Sequence, residues 1–141
     1  MAELLEESFE KELIEDYFQK EGITEIYYEK NYDGAAIIQQ IGNTLYLDKL
    51  AVHSSLKNNG LGSCLWKEIT IEYDQLILRA SKDNNAANKF YKERCELVAE
   101  TEDWNIYSYS KHDNKLPDEL IINAVAKKRP TMIKRKDSKA I

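Results

Sequence analysis

The feature that most constrains this chain is an apolar strand that runs through a glycine turn into a helix. Leu45-Tyr46-Leu47-Asp48-Lys49-Leu50-Ala51-Val52 is followed by a short polar loop and then by Lys57-Asn58-Asn59-Gly60-Leu61-Gly62, which opens a helix. A helix start leaves its first backbone N–H groups unpaired and carries the positive end of the helix dipole, so the turn presents several donors to one point in space. Gly60 and Gly62 remove the side chains that would keep a pyrophosphate from the backbone. That point is an anion site. The dinucleotide fingerprint requires a third glycine and the Walker A loop requires Gly-Lys-Ser/Thr, and the chain has neither.

A second loop and helix follow. Leu76-Ile77-Leu78-Arg79 reads as a short buried strand, and Asp83-Asn84-Asn85-Ala86-Ala87-Asn88-Lys89-Phe90-Tyr91 reads as a loop entering a helix. The two segments together resemble the GNAT superfamily of N-acetyltransferases. Its coenzyme A signature is Arg/Gln-x-x-Gly-x-Gly/Ala at a helix start, with Lys57 here in the first position. Its next helix reads Asn-x-x-Ala-x-x-Phe-Tyr, matched by Asn84, Ala87, Phe90 and Tyr91.

A narrower resemblance spans about Leu4 to Ser110. Glu7-Ser8-Phe9-Glu10-Lys11, Asp16-Tyr17-Phe18, Tyr46-Leu47-Asp48-Lys49, Leu65-Trp66, Arg79, Asn85 to Tyr91 and Trp104 are similar in order and type to the acetyltransferase domain of the vertebrate-like and bifunctional N-acetylglutamate synthases. The Tyr-Leu-Asp-Lys block is its most specific part. Three positions depart from that pattern: Ser81 stands for the second arginine of Arg-x-Arg, Ala86 for a proline and Glu10 for a glycine. Lys82 is a possible substitute for the lost cation.

With 141 residues the chain is long enough for one domain and one core. Charged residues make up 32%, the net charge is -5, and no apolar run is long enough for a membrane helix or a signal peptide, so a cytoplasmic protein is expected. Cys64 and Cys95 lack metal-ligand spacing, and His53 and His112 add no cluster, so no metal is implied and both thiols read as reduced packing residues.

The expected class is α+β, with a mostly antiparallel sheet splayed between the strands ending near Val52 and Arg79 and flanked by helices. Leu4, Leu5, Phe9, Leu13, Ile14, Tyr17 and Phe18 recur at helical spacing, predicting two short helices or one bent helix up to Gly22. Strands are predicted at Ile26-Tyr27-Tyr28, Ala35 to Ile38 and Thr44 to Val52, with turns at residues 31–34 and 41–43. Leu61, Leu65, Trp66, Ile69 and Tyr73 mark the next helix, and Glu96–Glu100 and Trp104–Ser110 close the sheet. The family's usual first strand has no counterpart before Leu4. The acetyltransferase domain is placed at residues 1–111. Residues 112–141 form a C-terminal piece: a helix begun by Leu116-Pro117-Asp118-Glu119, with Leu120, Ile121, Ala124 and Val125 on its apolar face, and a basic tail from Lys127 to Lys136. That helix is expected to pack on the domain or on a second subunit. The basic run has no interleaved aromatics and reads as a solvated end rather than a nucleic-acid surface.

The resemblance implies acetyl-CoA as acyl donor and L-glutamate as acceptor, in the first step of arginine synthesis. Backbone N–H groups near Ala51 and Val52 would hold the pantetheine arm and polarise the thioester carbonyl. The turn of Asn58, Asn59, Gly60, Leu61, Gly62 and Ser63 would bind the pyrophosphate, with Lys57 adding charge. Tyr91 resembles the tyrosine that protonates the departing thiolate. Asn85 and Asn88 would orient the coenzyme arm, and an extra residue in the loop leaves Asn84 as an alternative to Asn85. Lys49, Arg79, Lys11 and Tyr46 would receive glutamate, whose two carboxylates need fixed cations. The ordinary partner for Lys49 would be Asp48. No residue stands out as general base, and a water chain is the route expected. Another amine acceptor, such as a small molecule, a protein N-terminus or a lysine, fits the same fold. So does a non-catalytic acyl-CoA-binding regulatory module. The resemblance implies no membrane, and as partners a second copy of the chain or a separate amino-acid kinase.

Overall fold

The computed structural model describes residues 11–13, 23–28, 34–52, 60–112, 116–128, 130 and 132–134. In chain order the elements are β1 (Lys11–Leu13), β2 (Ile23–Tyr28), β3 (Gly34–Ile41), β4 (Thr44–Val52), α1 (Leu61–Glu72), β5 (Gln75–Ser81), α2 (Asn85–Lys92), β6 (Glu96–Glu100), β7 (Trp104–Ser110), α3 (Glu119–Lys127) and β8 (Met132–Lys134). Six strands form one sheet in the order β2-β3-β4-β5-β7-β6. Every pairing in it is antiparallel except β4 with β5, which are joined through α1 and run parallel.

Local sequence accounts for most of these bounds. The β3–β4 hairpin turns at Gly42, whose φ of 58° lies in the left-handed region that glycine adopts at low cost. The turn is also pressed against α3: a Cβ on Gly42 would stand 3.1 Å from Ile121 Cδ1. Helix α2 starts where Asn84 accepts a hydrogen bond from the Ala87 N–H, and α3 starts where Asp118 accepts one from the Leu120 N–H.

The sheet is covered on both faces. On one, Leu65, Trp66 and Ile69 of α1 and Tyr91 of α2 pack on Ala36, Ile38, Leu47, Leu76, Leu78, Ala80 and Tyr107. On the other, Val125 of α3, with Ile121, Ile122 and Ala126, packs on Tyr46, Ile77, Ile106 and Trp104. The C-terminal helix therefore docks on the sheet. Its inward face is shifted from the one the spacing suggested: Leu120 is 75% exposed and Val125 is fully buried.

The N-terminal segment corrects one expectation. Lys11 lies on a strand, because Lys11–Leu13 pairs antiparallel with Met132–Lys134, Lys11 opposite Lys134. Helical periodicity reports only neighbours three and four residues away, whereas this pairing depends on chain over a hundred residues downstream. The rest of the predicted N-terminal helices, Gly22 and the question of the missing first strand lie outside the described residues.

Candidate active site

The sheet opens at Asp48. Ile38 faces Leu47 across the β3–β4 ladder and Ile37 faces Lys49, so Asp48 is an extra residue in β4 with no partner on β3. A bulge of this kind bends its strand and re-aims the following side chains. On the other side of β4 the parallel pairing with β5 comprises Tyr46 with Ile77 and Leu47 with Leu78, and it stops where the bulge begins. Beyond Leu47 the two strands part, leaving backbone of residues 48–52 without a β5 partner in the ladder. The splay expected between the strands ending near Val52 and Arg79 thus begins at Asp48, and Ala51 lies buried within its reach.

Helix α1 is the next described element after β4. Gly60 is its N-cap at φ 87°, no side chain caps the first turn, and that turn carries no acid. The Cys64 N–H donates to the Gly60 carbonyl at 3.1 Å, which leaves the N–H groups of Leu61, Gly62 and Ser63 at the helix mouth. A Cβ on Gly60 would meet nothing within 4 Å, so the approach is open. Lys57, Asn58 and Asn59 lie outside the described residues. A cation missed by the sequence reading stands here: Arg94 donates from Nη2 to Ser63 Oγ at 3.1 Å and from Nη1 to the Phe90 carbonyl at 3.0 Å, with its guanidinium 3.7 Å above the Phe90 ring. Exposed Glu93 is 3.4 Å from Nη1. Arg94 comes just after the Phe-Tyr pair of α2, where no motif marked it.

The asparagines of α2 separate into distinct roles. Asn84 is the N-cap, and Asn85 is exposed on the first turn. Asn88 is 7% exposed and uses its full hydrogen-bonding capacity inside the protein. Its Nδ2 donates to the Ser81 and Asn84 carbonyls, both at 2.9 Å, and its Oδ1 accepts from Asn105 Nδ2 at 2.9 Å and from the Tyr107 hydroxyl at 2.7 Å. It ties the β5–α2 loop to β7. An arm-orienting contact from Asn88 would require one of these bonds to be exchanged.

Tyr91 is buried on the α1/α2 face among Phe90, Trp66 and Tyr107, with ring centroids at 5.6, 6.2 and 5.8 Å. Burial pushes its phenol well above the ordinary tyrosine range, and Cys95, Asp48 and Tyr107 add to the rise. Tyr91 therefore holds its proton throughout the neutral range. The influence of Asp48 links Tyr91 to the bulge where the sheet parts.

The basic residues gather on the opposite face. Lys49 faces Ile37, one residue out of phase with the Ile38–Leu47 pair of the α1/α2 face, and Arg79 follows Ile77 by two along β5, so both belong to the face covered by α3. Lys49 is 5% exposed, with Nζ 3.7 Å from Asp48 Oδ2, the ordinary partner foreseen for it. Arg79 Nη1 donates to the Val125 and Lys128 carbonyls at 2.9 and 2.8 Å, and its guanidinium lies 3.7 Å above the Trp104 ring. It thereby grips the C-terminal end of α3, where the helix dipole favours a cation. Tyr46 is 1% exposed, with Lys128 Nζ 5.6 Å from its ring centre. Lys82 points elsewhere and pairs with Glu100 at 3.6 Å on the surface, while Ser81 bonds Asp83 at 2.5 Å. Lys11 is placed only by its backbone on β1.

The family model of the NAT domain, the N-acetyltransferase of N-acetylglutamate synthase, matches residues 1–128. The chain belongs to this family. The match runs through α3 and reaches Lys128. Among NAT relatives, the chain is 32% identical over 130 residues to an acetylglutamate kinase of Xylella fastidiosa, covering 92% of this chain and 30% of that protein. It is 29% identical over 102 residues to human mitochondrial N-acetylglutamate synthase, covering 70% of this chain and 19% of that one. The NAT chain thus spans less than a third of the length of either relative. The Escherichia coli ribosomal-protein-S18-alanine N-acetyltransferase superposes with a TM-score of 0.63 at 18% identity, over 84% of this chain and 88% of that one, which establishes the GNAT fold.

Within the NAT fold, a diphosphate fits the mouth of α1: three N–H groups without a partner among the described residues, a glycine N-cap, no first-turn acid and Arg94 alongside all favour an anion. Both cysteines among the described residues are free thiols. Cys64 is exposed rather than packed, and Cys95 is half-buried, its thiol pushed up to about 12 by burial.

Proposed function

We propose that this NAT domain transfers the acetyl group of acetyl-CoA to the α-amine of L-glutamate. The observation that carries the reading is the opening at Asp48. It separates β4 from β5, with buried Lys49 and Arg79 on the α3 face, and the chain also holds an uncapped helix start at Gly60. A thioester needs an entry between strands, its coenzyme needs a phosphate grip, and a dicarboxylate needs cations at fixed positions. These features support the reading.

In this reading Gly60, Leu61, Gly62, Ser63 and Arg94 hold the pyrophosphate, with Lys57, Asn58 and Asn59 from the preceding loop. The backbone of Ala51 and Val52 lines the arm and polarises the thioester carbonyl toward attack. The amine must lose its proton before attacking, and a water chain carries it out. Tyr91, kept protonated by burial, supplies the proton to the leaving thiolate. Lys49, Arg79 and Tyr46 receive glutamate, and Lys11 closes on it from the N-terminal segment. The Xylella relative carries the name of a kinase and is over three times as long as the matched region, which supports an amino-acid kinase module as the partner, on the same chain or a separate one.

The test is thiol release from acetyl-CoA across a panel of amino acids, small amines and peptides, with the product identified by mass. Release should be greatest with L-glutamate. Preference for a monoamine or a peptide would remove the substrate assignment and leave the fold intact, and failure to bind any acyl-CoA would remove the acetyltransferase reading.

A further inference from the structure

Gln39, Tyr46, Arg79 and Lys128 belong to neighbouring positions of the α3 face. Gln39 faces Tyr46 across the β3–β4 ladder, and Tyr46 is level with Ile77 of β5. Arg79 lies two residues beyond Ile77 on the same face, and Lys128, the C-cap of α3, places its ammonium over the Tyr46 ring. Lys128 is held at the backbone, where its carbonyl accepts from Arg79 Nη1 at 2.8 Å. The same residue thus fixes one cation by its main chain and carries another on its side chain.

Gln39 supplies an independent sign of a ligand. It is 2% exposed, and its Nε2 makes no hydrogen bond among the described residues. A buried amide donor left without an acceptor is costly, and such groups are retained where something else accepts from them. The nearest described loop cation, Lys82, is turned to Glu100 on the surface and cannot serve this spot. A carboxylate placed beside Tyr46 would accept from Gln39 Nε2 and pair with the Lys128 ammonium.

We infer that Lys128 and Gln39 form a carboxylate subsite around Tyr46, which together with Lys49 and Arg79 selects a dicarboxylic amino acid. This assignment rests on the proposed glutamate reaction and deepens it. The cation at the missing second-arginine position is then delivered by the end of α3, from a distant part of the chain, rather than by the β5 strand or its loop.

The experiment compares Lys128→Met, Lys128→Arg and Gln39→Leu with the full wild-type chain by steady-state kinetics and thermal melting. Lys128→Met keeps the carbonyl that anchors Arg79 and the apolar stem over Tyr46, removing only the charge. It should raise the glutamate KM about tenfold, leave the acetyl-CoA KM within about twofold, and erase most of the preference for glutamate over glutamine; Lys128→Arg should restore it. Gln39→Leu should raise the glutamate KM several-fold while melting no lower than wild type, since it removes an unpaired buried donor. A role in folding alone would move melting and leave the glutamate-to-glutamine ratio unchanged. If the wild type acetylates glutamate and Lys128→Met keeps its glutamate KM, the subsite is overturned while the reaction stands. If the wild type acetylates no dicarboxylic amino acid, both assignments fall together.

Discussion

The two faces of the sheet are built on different principles. Under α1 and α2 the packing is apolar and aromatic, and its buried polar hub, Asn88, has every donor and acceptor matched. Under α3 the sheet buries Gln39, Lys49, Arg79 and Ser108, and the Gln39 Nε2 and Ser108 Oγ atoms lack partners among the described residues, as does Asn105 Oδ1 beside Asn88 on the first face. Folding favours the first arrangement, because apolar burial and matched hydrogen bonds each stabilise. The contrast teaches that Tyr91 and the buried cations Lys49 and Arg79 lie on opposite faces of the sheet, with the bulge at Asp48 between them.

The sharpest way to break this division is Trp66→Ala. Trp66 packs edge-on against Phe90 and Tyr109 at 6.0 and 5.3 Å in the α1/α2 core, and truncation should cost about 3–5 kcal/mol in chemical denaturation. A loss under about 1 kcal/mol would mean that this face does not carry the fold. Next in size, Tyr91→Phe should lower turnover by about one to two orders of magnitude with coenzyme affinity nearly unchanged. Its hydroxyl makes no hydrogen bond with a described residue, so melting should hold, and unchanged turnover would return Tyr91 to a packing role.

Arg94→Ala sharpens the comparison at the helix mouth. It should raise the acetyl-CoA KM about tenfold and leave the glutamate KM alone, the mirror image of the effect expected at Lys128. Equal rises in both constants would show that the two sites are not separable.

Alkaline pH should also act on one face. Tyr91, Tyr107 and Cys95 all belong to the α1/α2 core, and burial raises all three. The unfolded chain loses these protons at lower pH than the folded one, so the stabilisation is fully present below about pH 8.5 and is lost as pH climbs, by up to about 1.4 kcal/mol per unit for each group. Tyr91→Phe should flatten the fall above about pH 10, which denaturation at several pH values would read; an unaltered slope would place the sensitivity elsewhere. The smallest effect belongs to Lys82→Ala. An exposed pair with Glu100 is worth less than about 0.5 kcal/mol, and the glutamate KM should not change, whereas a tenfold rise would restore Lys82 as the substitute cation.

Much of the fold was legible because its signals are local. Thr44–Val52, Glu96–Glu100 and Trp104–Ser110 have the bounds their residue patterns predicted, since alternation and turn residues act within a few positions. The glycine turn announced the helix start through the same short-range chemistry. The loop register before α2 stayed open in the sequence because the loop after Arg79 holds one residue more than the family pattern and either Asn84 or Asn85 could serve as the amide donor; in the fold Asn84 is the cap and Asn85 is exposed on the first turn.

By itself, then, the sequence determined the order of strands and helices from β2 to α3, the glycine turn that opens α1 and the residue types available for transfer chemistry, all of which follow from periodicity and backbone propensity. Only the tertiary structure decided that Asp48 is the extra residue at which β4 leaves β5, that Arg79 grips the end of α3, that Arg94 stands at the mouth of α1 and that Lys128 lies over Tyr46. Each of these depends on a partner between 31 and 82 residues away or on a ladder between two strands, and no local pattern encodes which distant backbone or ring a long charged side chain will meet.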